Sequence, residues 1–160
     1  MMDDARAVFE NWAQDPEVTR TMTWRPHVDI DTTRAVLRNM IAAWEQGTRF
    51  PYMIIEKSSN QAAGMVEIRV DGHKAELGYV LARIHWGKGY MTEAACTLLD
   101  WAFQQPEIYR VYATTSVENI GSQRVMEKLG MTREGLMRRY IIHPNVSAEP
   151  IDSYLYAIVK

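Results

Sequence analysis

The segment at residues 86–94 constrains the fold most, because it joins a strand-like run at 75–82 to an amphipathic helix at 92–103. Gly87 and Gly89 let the backbone bend tightly there and approach a ligand closely. The first turn of a helix carries amide N–H groups without an intrahelical partner, and these donors attract anions together with the positive end of the helix dipole. The segment therefore predicts a cradle for a phosphate-bearing ligand, and a glycine turn with a purely structural role is the alternative.

Two better-known phosphate-binding loops do not match this segment. The P-loop pattern needs Lys followed by Ser or Thr, whereas Lys88 is followed by Gly89. The dinucleotide-binding fingerprint needs a Gly or Ala at the position of Thr92. Thr92 can offer its hydroxyl to a phosphate or cap the helix.

The composition fits one globular domain spanning residues 1–160, in which 47% of the residues are apolar and 24% are charged. A net charge of −2 gives no sign of nucleic-acid or membrane-surface binding, and it suits a cationic or amine substrate. No apolar run has the length of a membrane span and the N-terminus lacks the apolar core of a signal peptide, so we expect a cytoplasmic location. The single cysteine, Cys96, excludes an internal disulfide; we interpret it as a small helix residue, with a nucleophile as the alternative.

Hydrophobic periodicity predicts the element order α, α, βββ, α, β, α, ββ in one mixed α/β domain. Asp3 or Asp4 is expected to cap the first helix, and Asp31 or Thr32 to begin the second. The turn at 71–72 makes the first three strands an antiparallel meander, and the strand after the crossover helix should run parallel to the third. The predicted strands lie at residues 52–56, 63–70, 75–82, 110–115, 131–139 and 151–159, and the last two helices at 92–103 and 120–129.

A second signal comes from Asn119 and Ser122, since Ser122 falls on the apolar face of the helix at 120–129. A buried polar group that lacks a partner costs about 1–3 kcal/mol, so each should have one. In one interpretation Asn119 caps the helix and Ser122 bonds a backbone carbonyl. In the other, both face a ligand lying between the helix and the open sheet.

Four motifs follow one another along the chain, namely Tyr79-Val-Leu, Trp86-Gly-Lys-Gly-Tyr, Thr92-Glu-Ala and Asn119-x-x-Ser122-x-x-Val-Met-Glu-Lys-Leu-Gly130-Met. In this order and spacing they resemble the GNAT acyltransferases, and within them the RimJ/RimL-type N-acetyltransferases. The resemblance covers nearly the whole chain and implies a central mixed, mostly antiparallel sheet, splayed at the middle and flanked by helices. It also implies acetyl-CoA as acyl donor and an amine as acceptor.

The resemblance places the pantetheine arm of the cofactor in the split of the sheet, where the arm mimics an extra strand. Backbone groups of Val80, Leu81 and Ala82 would bond the arm, and Asn119 and Ser122 would lie beside it. The cradle segment would hold the pyrophosphate with Trp86, Gly87, Lys88, Gly89, Tyr90, Met91 and Thr92.

The chain departs from the family pattern at three points. Trp86 and Met91 stand where the phosphate motif usually has Gln or Arg and Gly or Ala. Met126 occupies the position of a general-acid Tyr in many members, so that role must pass elsewhere or be dispensable. Members usually have a strand ahead of the first helix, whereas this sequence starts almost at that helix.

Acetyl transfer needs a neutral amine, donors for the oxyanion and a proton or hydrogen bond for the departing thiolate. We predict Glu76 as general base, directly or through water, with a solvated strand residue as the alternative. A backbone N–H near Val80 or Leu81 would stabilise the oxyanion. By the resemblance, Ser122 would protonate or bond the thiolate, with Tyr79 as the alternative.

The acceptor pocket should form between the first two helices and the closing strands. Protein N-termini, free amino acids, polyamines and amine-bearing antibiotics all remain open as acceptors. The branch also allows a homodimer, and a non-catalytic acyl-CoA-binding module is the alternative function. The histidines lack metal-ligand spacing with Cys96 or acidic residues, so we predict no metal. The candidate acceptor residues, each also a candidate for a surface or packing role, are Trp24, Arg25, His27, Arg138, Arg139 and Tyr140.

Overall fold

The computed structural model describes residues 4–160, so the predicted cap at Asp3 lies outside the described residues. Asp4 occupies the N-cap position of helix α1 (Ala5–Val8). The helix continues without interruption as a π-helical segment (Phe9–Ala13), which buries its apolar side chains against the sheet. The first predicted helix is therefore present, with a wider last turn than an α-helix has.

Aspartate side chains begin the next two helices, because each accepts a backbone N–H that the helix itself leaves unpaired. Asp15 caps the short helix α2 (Pro16–Thr19). Asp29 caps the long helix α3 (Ile30–Glu45) and accepts a backbone N–H at 2.7 Å. The sequence placed this beginning at residues 31–32, because two aspartates and a threonine in close succession are all good capping residues.

Six strands form one sheet, and two further helices connect its second half. The strands are β1 (Arg49–Glu56), β2 (Gln61–Asp71), β3 (Lys74–Leu81), β4 (Arg110–Ser116), β5 (Thr132–Ile141) and β6 (Ile151–Val159), and the helices are α4 (Tyr90–Gln104) and α5 (Ile120–Lys128). The spatial order is β1-β2-β3-β4-β6-β5. Among the strands of residues 4–160, only β3 and β4 are parallel, across the crossover through α4. The predicted meander and the mixed, mostly antiparallel sheet are confirmed.

The two parallel strands separate over most of their length. They share three paired rungs at one end, whereas β3 continues to Leu81 and β4 to Ser116. The last rung pairs Glu76 with Tyr112, and beyond it the strands diverge. We call the resulting gap the split and the Glu76–Tyr112 rung its closed end. The predicted splay at the middle of the sheet is confirmed.

Helices α4 and α5 pack on one face of the sheet, and α1 to α3 pack on the other. The α4 face carries the larger core, in which Ile68 and Val111 are fully buried. The α3 face carries a second core around Trp12 and Leu37. Among residues 4–160 no strand precedes α1, so β1 forms one edge of the sheet and β5 the other.

Candidate active site

The glycine turn has the backbone conformation that an anion cradle requires. Gly87 and Gly89 have φ of +74° and +87°, and Gly89 stands at the N-cap of α4. A Cβ atom added at either glycine would meet nothing within 4 Å, so glycine is needed for its backbone angles and the space above it is open. The N–H of Glu93 makes the first bond of the helix, to Gly89 at 3.0 Å. The N–H groups of residues 90–92 therefore have no acceptor inside the helix.

Side chains behind the turn hold it in place. The Tyr90 hydroxyl donates to Glu56 at the end of β1, and this bond, followed by burial, raises the pKa of Tyr90. The buried His85 ring packs edge-on against Tyr90 at 5.2 Å. Lys88 is exposed, and the side chain of Met91 is buried in the core. Because the Tyr90 hydroxyl is bonded to Glu56 and the Met91 side chain is buried, these two residues can offer a ligand only their backbone N–H groups.

The backbone of β3 alternates between β2 and the split. Ala82 N–H donates to Ala63 at 2.8 Å, and its carbonyl accepts from the N–H of His85 at 2.9 Å. Both backbone groups of Ala82 already have a partner within the protein, and the bond from Ala82 to the pantetheine arm stays a prediction. By the same alternation, the backbone N–H and carbonyl of Val80 point toward β2, and those of the odd-numbered residues of β3 point toward β4.

Three residues of β3 therefore turn backbone groups toward β4 and the split, namely Leu77, Tyr79 and Leu81. The Glu76–Tyr112 rung uses the N–H of Leu77, so this residue offers only its carbonyl to the split. The carbonyl of Leu81 accepts a hydrogen bond from the indole of Trp86 at 2.8 Å. Beyond the closed end, β4 offers these groups no paired partner strand. A ligand that lies in the split as an added strand would satisfy them.

Tyr79 and Ser122 meet on the α4 face of the split. The Tyr79 hydroxyl lies 2.7 Å from Ser122 Oγ and donates to the Ser122 carbonyl at 3.3 Å. Burial raises the pKa of Tyr79 to about 12, although the bond to Ser122 works in the opposite direction. The phenol is therefore protonated at neutral pH, and Ser122 Oγ bonds this hydroxyl and not a backbone carbonyl as one interpretation predicted.

Asn119 caps α5, as that interpretation expected. Its Oδ1 accepts the N–H of Ser122 at 3.1 Å, and its Nδ2 donates to Thr21 Oγ1 at 3.0 Å. Both polar atoms of the side chain are thus engaged within the protein. The second bond ties α5 to the loop that leads from α2 to the predicted acceptor residues.

Glu76 lies on the α3 face, away from Tyr79 and Ser122 on the opposite face. It is half-buried, and its Oε2 accepts from Arg69 Nη1 at 2.9 Å. The carboxylate is consequently neither isolated nor fully solvated. The sequence missed this ion pair because it depends on the register between β2 and β3.

The predicted acceptor residues on the α2–α3 loop form a small cluster. Trp24 and His27 are half-buried, with ring centroids 5.1 Å apart, and His27 Nδ1 lies 2.7 Å from Thr33 Oγ1. Burial lowers the pKa of His27, although Asp29 raises it, so the ring is neutral at pH 7. Arg25 is exposed.

A residue that the sequence did not single out, Asn145, connects this cluster to the β5–β6 loop. Its Nδ2 donates to the carbonyls of Thr19 at 2.7 Å and Trp24 at 2.8 Å. The partners are more than a hundred positions away in the chain, and the only signal in the sequence is an Asn in a polar, Pro-containing loop.

The other predicted acceptor residues lie in a bulge of β5. The register jumps there from Met137 to Ile141 while β6 advances only from Ser153 to Ile151. The residues inside the bulge are Arg138, Arg139 and Tyr140, all exposed. Arg139 adopts φ of +48°, and its N–H donates to Asp152 at 2.8 Å, which stabilises this conformation. The structure brings Trp24 and His27 together and leaves Arg25 and Arg138 pointing into solvent.

Two general features complete the description. Within residues 4–160, the side chains form no group of three or more His, Cys, Asp or Glu residues suited to a metal ion. Over the same residues, no helix is long and apolar enough to cross a membrane.

Comparison with known proteins identifies the family. A family model described as an acetyltransferase (GNAT) domain matches residues 1–132. The chain is 30% identical to the uncharacterized N-acetyltransferase p20 of Bacillus licheniformis, over 99% of this chain and 89% of p20. A GNAT-family acetyltransferase from Bacillus anthracis, solved as a crystal structure, is 32% identical, with 99% of this chain and 90% of that chain covered and a TM-score of 0.85.

The chain therefore belongs to the GNAT family of acetyltransferases, as its motifs predicted. RimL, an alpha-N-protein acetyltransferase of ribosomal L7/L12 solved with coenzyme A, superposes with a TM-score of 0.89 over 99% of this chain and 90% of that chain. Its sequence is 20% identical, and at this level the likeness concerns the fold alone. The assignment to the RimJ/RimL branch stays a prediction.

Proposed function

We propose that this protein transfers the acetyl group of acetyl-CoA to a primary amine by direct attack in a ternary complex, as a RimJ/RimL-type enzyme. The observation that carries the proposal is the split, with the glycine cradle at its open end and the Tyr79–Ser122 pair on its wall. The acceptor is a protein N-terminus or a small-molecule amine, and RimL, which acts on a protein N-terminus, supports the first.

The residues present fit acetyl-CoA. The cradle offers unpaired amides at residues 90–92 below open space, which suits the pyrophosphate. The split offers the backbone groups of Leu77, Tyr79 and Leu81 in the geometry of a missing strand, which suits the pantetheine arm. Asn119 would contribute an N–H of its Nδ2, which carries a second donor besides the one that Thr21 accepts. When bound, acetyl-CoA supplies an activated thioester.

The Tyr79–Ser122 pair donates hydrogen bonds to the departing thiolate in this proposal. Tyr79 stays protonated at neutral pH because burial raises its pKa to about 12, and Ser122 Oγ lies 2.7 Å from the phenol oxygen. The bond can come from Tyr79 directly or through the Ser122 hydroxyl. The proton that completes the free thiol comes from solvent, because a thiol titrates at about pH 8.5 and its thiolate is too weak a base to deprotonate this phenol. Met126, which replaces the general-acid Tyr of many family members, is fully buried and cannot serve.

Glu76 and the split backbone supply the other two requirements. Glu76 accepts the proton that the amine loses, directly or through water, from the α3 face of the closed end. Of the two predicted oxyanion donors, only the N–H of Leu81 points into the split, but it lies five residues along β3 from Glu76, about 16 Å away. The N–H of Tyr79 faces the split nearer to Glu76, so it is the better oxyanion donor. Trp24 and His27 would line the acceptor side, with Arg138, Arg139 and Tyr140 at its rim and Arg25 exposed nearby.

The experiment is a thermal-shift titration with acetyl-CoA on the wild type, Asn119→Ala and Asp29→Ala. Both variants lose a helix N-cap, but only Asn119 belongs to the proposed cofactor site. Wild type and Asp29→Ala should show the same ligand-induced rise in Tm, following RT ln(1 + [L]/Kd), and Asn119→Ala a smaller one. No rise in the wild type at millimolar acetyl-CoA would contradict the proposal.

Turnover separates the enzyme from the alternative, a non-catalytic acyl-CoA-binding module. Free thiol release from acetyl-CoA in the presence of an amine panel measures it directly. Acetyl-CoA binding without thiol release for any amine would favour the module, for which the Met126 substitution is the supporting observation.

A further inference from the structure

A network of four charged side chains lies on the α3 face beside the closed end of the split. Arg49 donates to Glu67 through Nη2 at 2.9 Å and also through Nε. Arg69 donates to Glu67 through Nε at 2.8 Å and, through Nη1, to Glu76 Oε2 at 2.9 Å. The order Arg49–Glu67–Arg69–Glu76 spans three adjacent strands and alternates in charge.

The centre of this network is withdrawn from water. Glu67 is only 8% exposed, and both of its carboxylate oxygens are held by guanidinium groups. Burial alone would raise the pKa of Glu67, but the hydrogen bond from Arg49 and the charges of Arg69 and Arg49 outweigh it, and the pKa lies below its ordinary value. Glu67 is therefore ionised at neutral pH and fixes Arg69 in place.

Gly78 connects the network to the split. A Cβ atom added to Gly78 would lie 2.8 Å from Arg69 Nη2 and 3.1 Å from Glu67 Oε1, so the network rests directly on the β3 backbone. Gly78 stands between Leu77 and Tyr79, whose backbone groups face the split. The guanidinium of Arg69 is thus fixed both by its partners and by the strand that borders the cofactor.

Tyr112 stands opposite Glu76 at the last paired rung, and its side chain is half-buried. Burial raises the pKa of Tyr112 and the charge of Glu76 adds to the effect, so the two side chains share one neighbourhood. In the described chain, no hydrogen bond or ion pair engages Glu76 Oε1.

We propose that Arg69, anchored by Glu67 and Arg49, is a positioning residue that holds Oε2 of Glu76 so that Oε1 faces the acceptor amine beside Tyr112. This inference rests on the proposed function. Glu76 Oε1 then takes the proton from the amine as the N–C bond forms and the C–S bond breaks. The Tyr79–Ser122 pair donates hydrogen bonds to the thiolate, and the proton on Glu76 passes through solvent to complete the free thiol.

The planar guanidinium is needed because it bonds two carboxylates in different directions at once. A Lys at this position keeps the charge but has a single nitrogen, which cannot hold Glu67 and Glu76 in the same geometry. Arg69→Gln leaves Glu67 paired with Arg49 through two bonds, so no buried charge is left without a partner.

The test is a double-mutant cycle with Glu76→Gln, Arg69→Gln and the double variant, using alanylalanine and 1,5-diaminopentane as acceptor probes. Each single variant should lower kcat about 10²-fold, by loss of the base or by its misplacement, with the Kd of acetyl-CoA within a factor of about two. In the Glu76→Gln background, Arg69→Gln should cost nothing further, because it acts through Glu76. Arg69→Lys should recover part of kcat.

Arg34→Gln is the matched control, since Arg34 also pairs with a carboxylate but lies exposed on α3. It should leave kcat, Tm and the Kd of acetyl-CoA unchanged. The inference is overturned if Arg69→Gln costs as much in the Glu76→Gln background as in the wild type, or if it changes only Tm. Turnover that is unchanged in Glu76→Gln overturns it while leaving the proposed function intact, whereas absence of turnover by the wild type removes both.

Discussion

The proposed cofactor side and the proposed acceptor side of the split are built from different parts of the chain. The cofactor side consists mainly of backbone groups from one continuous stretch, residues 77–92, arranged by strand alternation and two glycines. The acceptor side consists of side chains from distant segments, such as Trp24, Glu76 and the bulge at 138–140, held by long-range bonds such as that of Asn145. A site made of backbone tolerates side-chain change, whereas a site made of side chains depends on each contact.

The largest expected effect concerns Tyr79 and Ser122, the two side chains that take part in the proposed chemistry on the cofactor side, which otherwise consists of backbone groups. The double variant Tyr79→Phe, Ser122→Ala should lower kcat about 10²-fold, because both hydroxyls that can donate a hydrogen bond to the thiolate are lost. The Kd of acetyl-CoA, measured by calorimetry, should change little, since the backbone groups remain. Tyr109→Phe, at an exposed position, is the control and should change neither kcat nor the Kd of acetyl-CoA. An equal loss of affinity and rate would show that the pair holds the cofactor.

Gly78→Ala probes the side-chain network on the acceptor side. The new Cβ would lie 2.8 Å from Arg69 Nη2, and the displacement should lower the free energy of unfolding by about 1–3 kcal/mol in urea titrations. The control is Gly135→Ala in β5, where a Cβ meets nothing within 4 Å and φ is not in the left-handed region. If the two variants unfold alike, the network gives way easily and does not fix Arg69.

Gly89→Ala tests the backbone cradle. Its φ of +87° disfavours any residue with a Cβ, and we expect a loss of about 1–2 kcal/mol in unfolding free energy. Gly47→Ala, at φ of +70° after α3, carries a similar strain far from the cradle. Both variants should lose stability, but only Gly89→Ala should weaken acetyl-CoA binding. Equal acetyl-CoA affinities would place the pyrophosphate elsewhere.

The smallest effect concerns pH. The folded-state pKa of Glu67 is depressed, because the arginine bonds outweigh burial, so its contribution to stability is present above the unfolded pKa near 4.5 and is lost as pH falls through the folded value. Unfolding free energies between pH 7 and pH 3 should therefore decline less steeply in Glu67→Gln than in the wild type. A parallel decline in both proteins would mean that Glu67 does not control this pH dependence.

The sequence predicted the strands, turn and helix that border the split well because their signals are local. Glycines that enter a helix, a hairpin dipeptide and strand alternation are all properties of neighbouring residues, and they predicted the strand–turn–helix order at residues 75–103 and the meander. Ala82 was assigned to the split because the sequence does not reveal that the chain leaves β3 there and turns back through His85, which takes the Ala82 carbonyl.

The acceptor side could not be predicted in the same way. Arg49, Glu67, Arg69 and Glu76 become neighbours only through the register of three strands, and a shift of one residue would turn them to the other face. Asn119 was recognised as a cap or ligand residue, but its bond to Thr21 joins positions 98 residues apart. Such contacts follow from tertiary packing and carry no local pattern.

The side-chain amide of Asn119 bonds Thr21, in the loop that leads to the predicted acceptor residues, and in the proposed reaction it would also bond the cofactor. If the cofactor takes the N–H of Nδ2 that Thr21 accepts, and not the second N–H of the same amide, Thr21 is released and the loop that carries Trp24 loses a tether to α5. An acceptor that binds better to the tethered loop would then weaken cofactor binding. By thermodynamic reciprocity, the cofactor would weaken the binding of that acceptor by the same factor. One hydrogen bond would in this way couple the two halves of the site. The affinity measured for one substrate would then depend on whether the other substrate is bound.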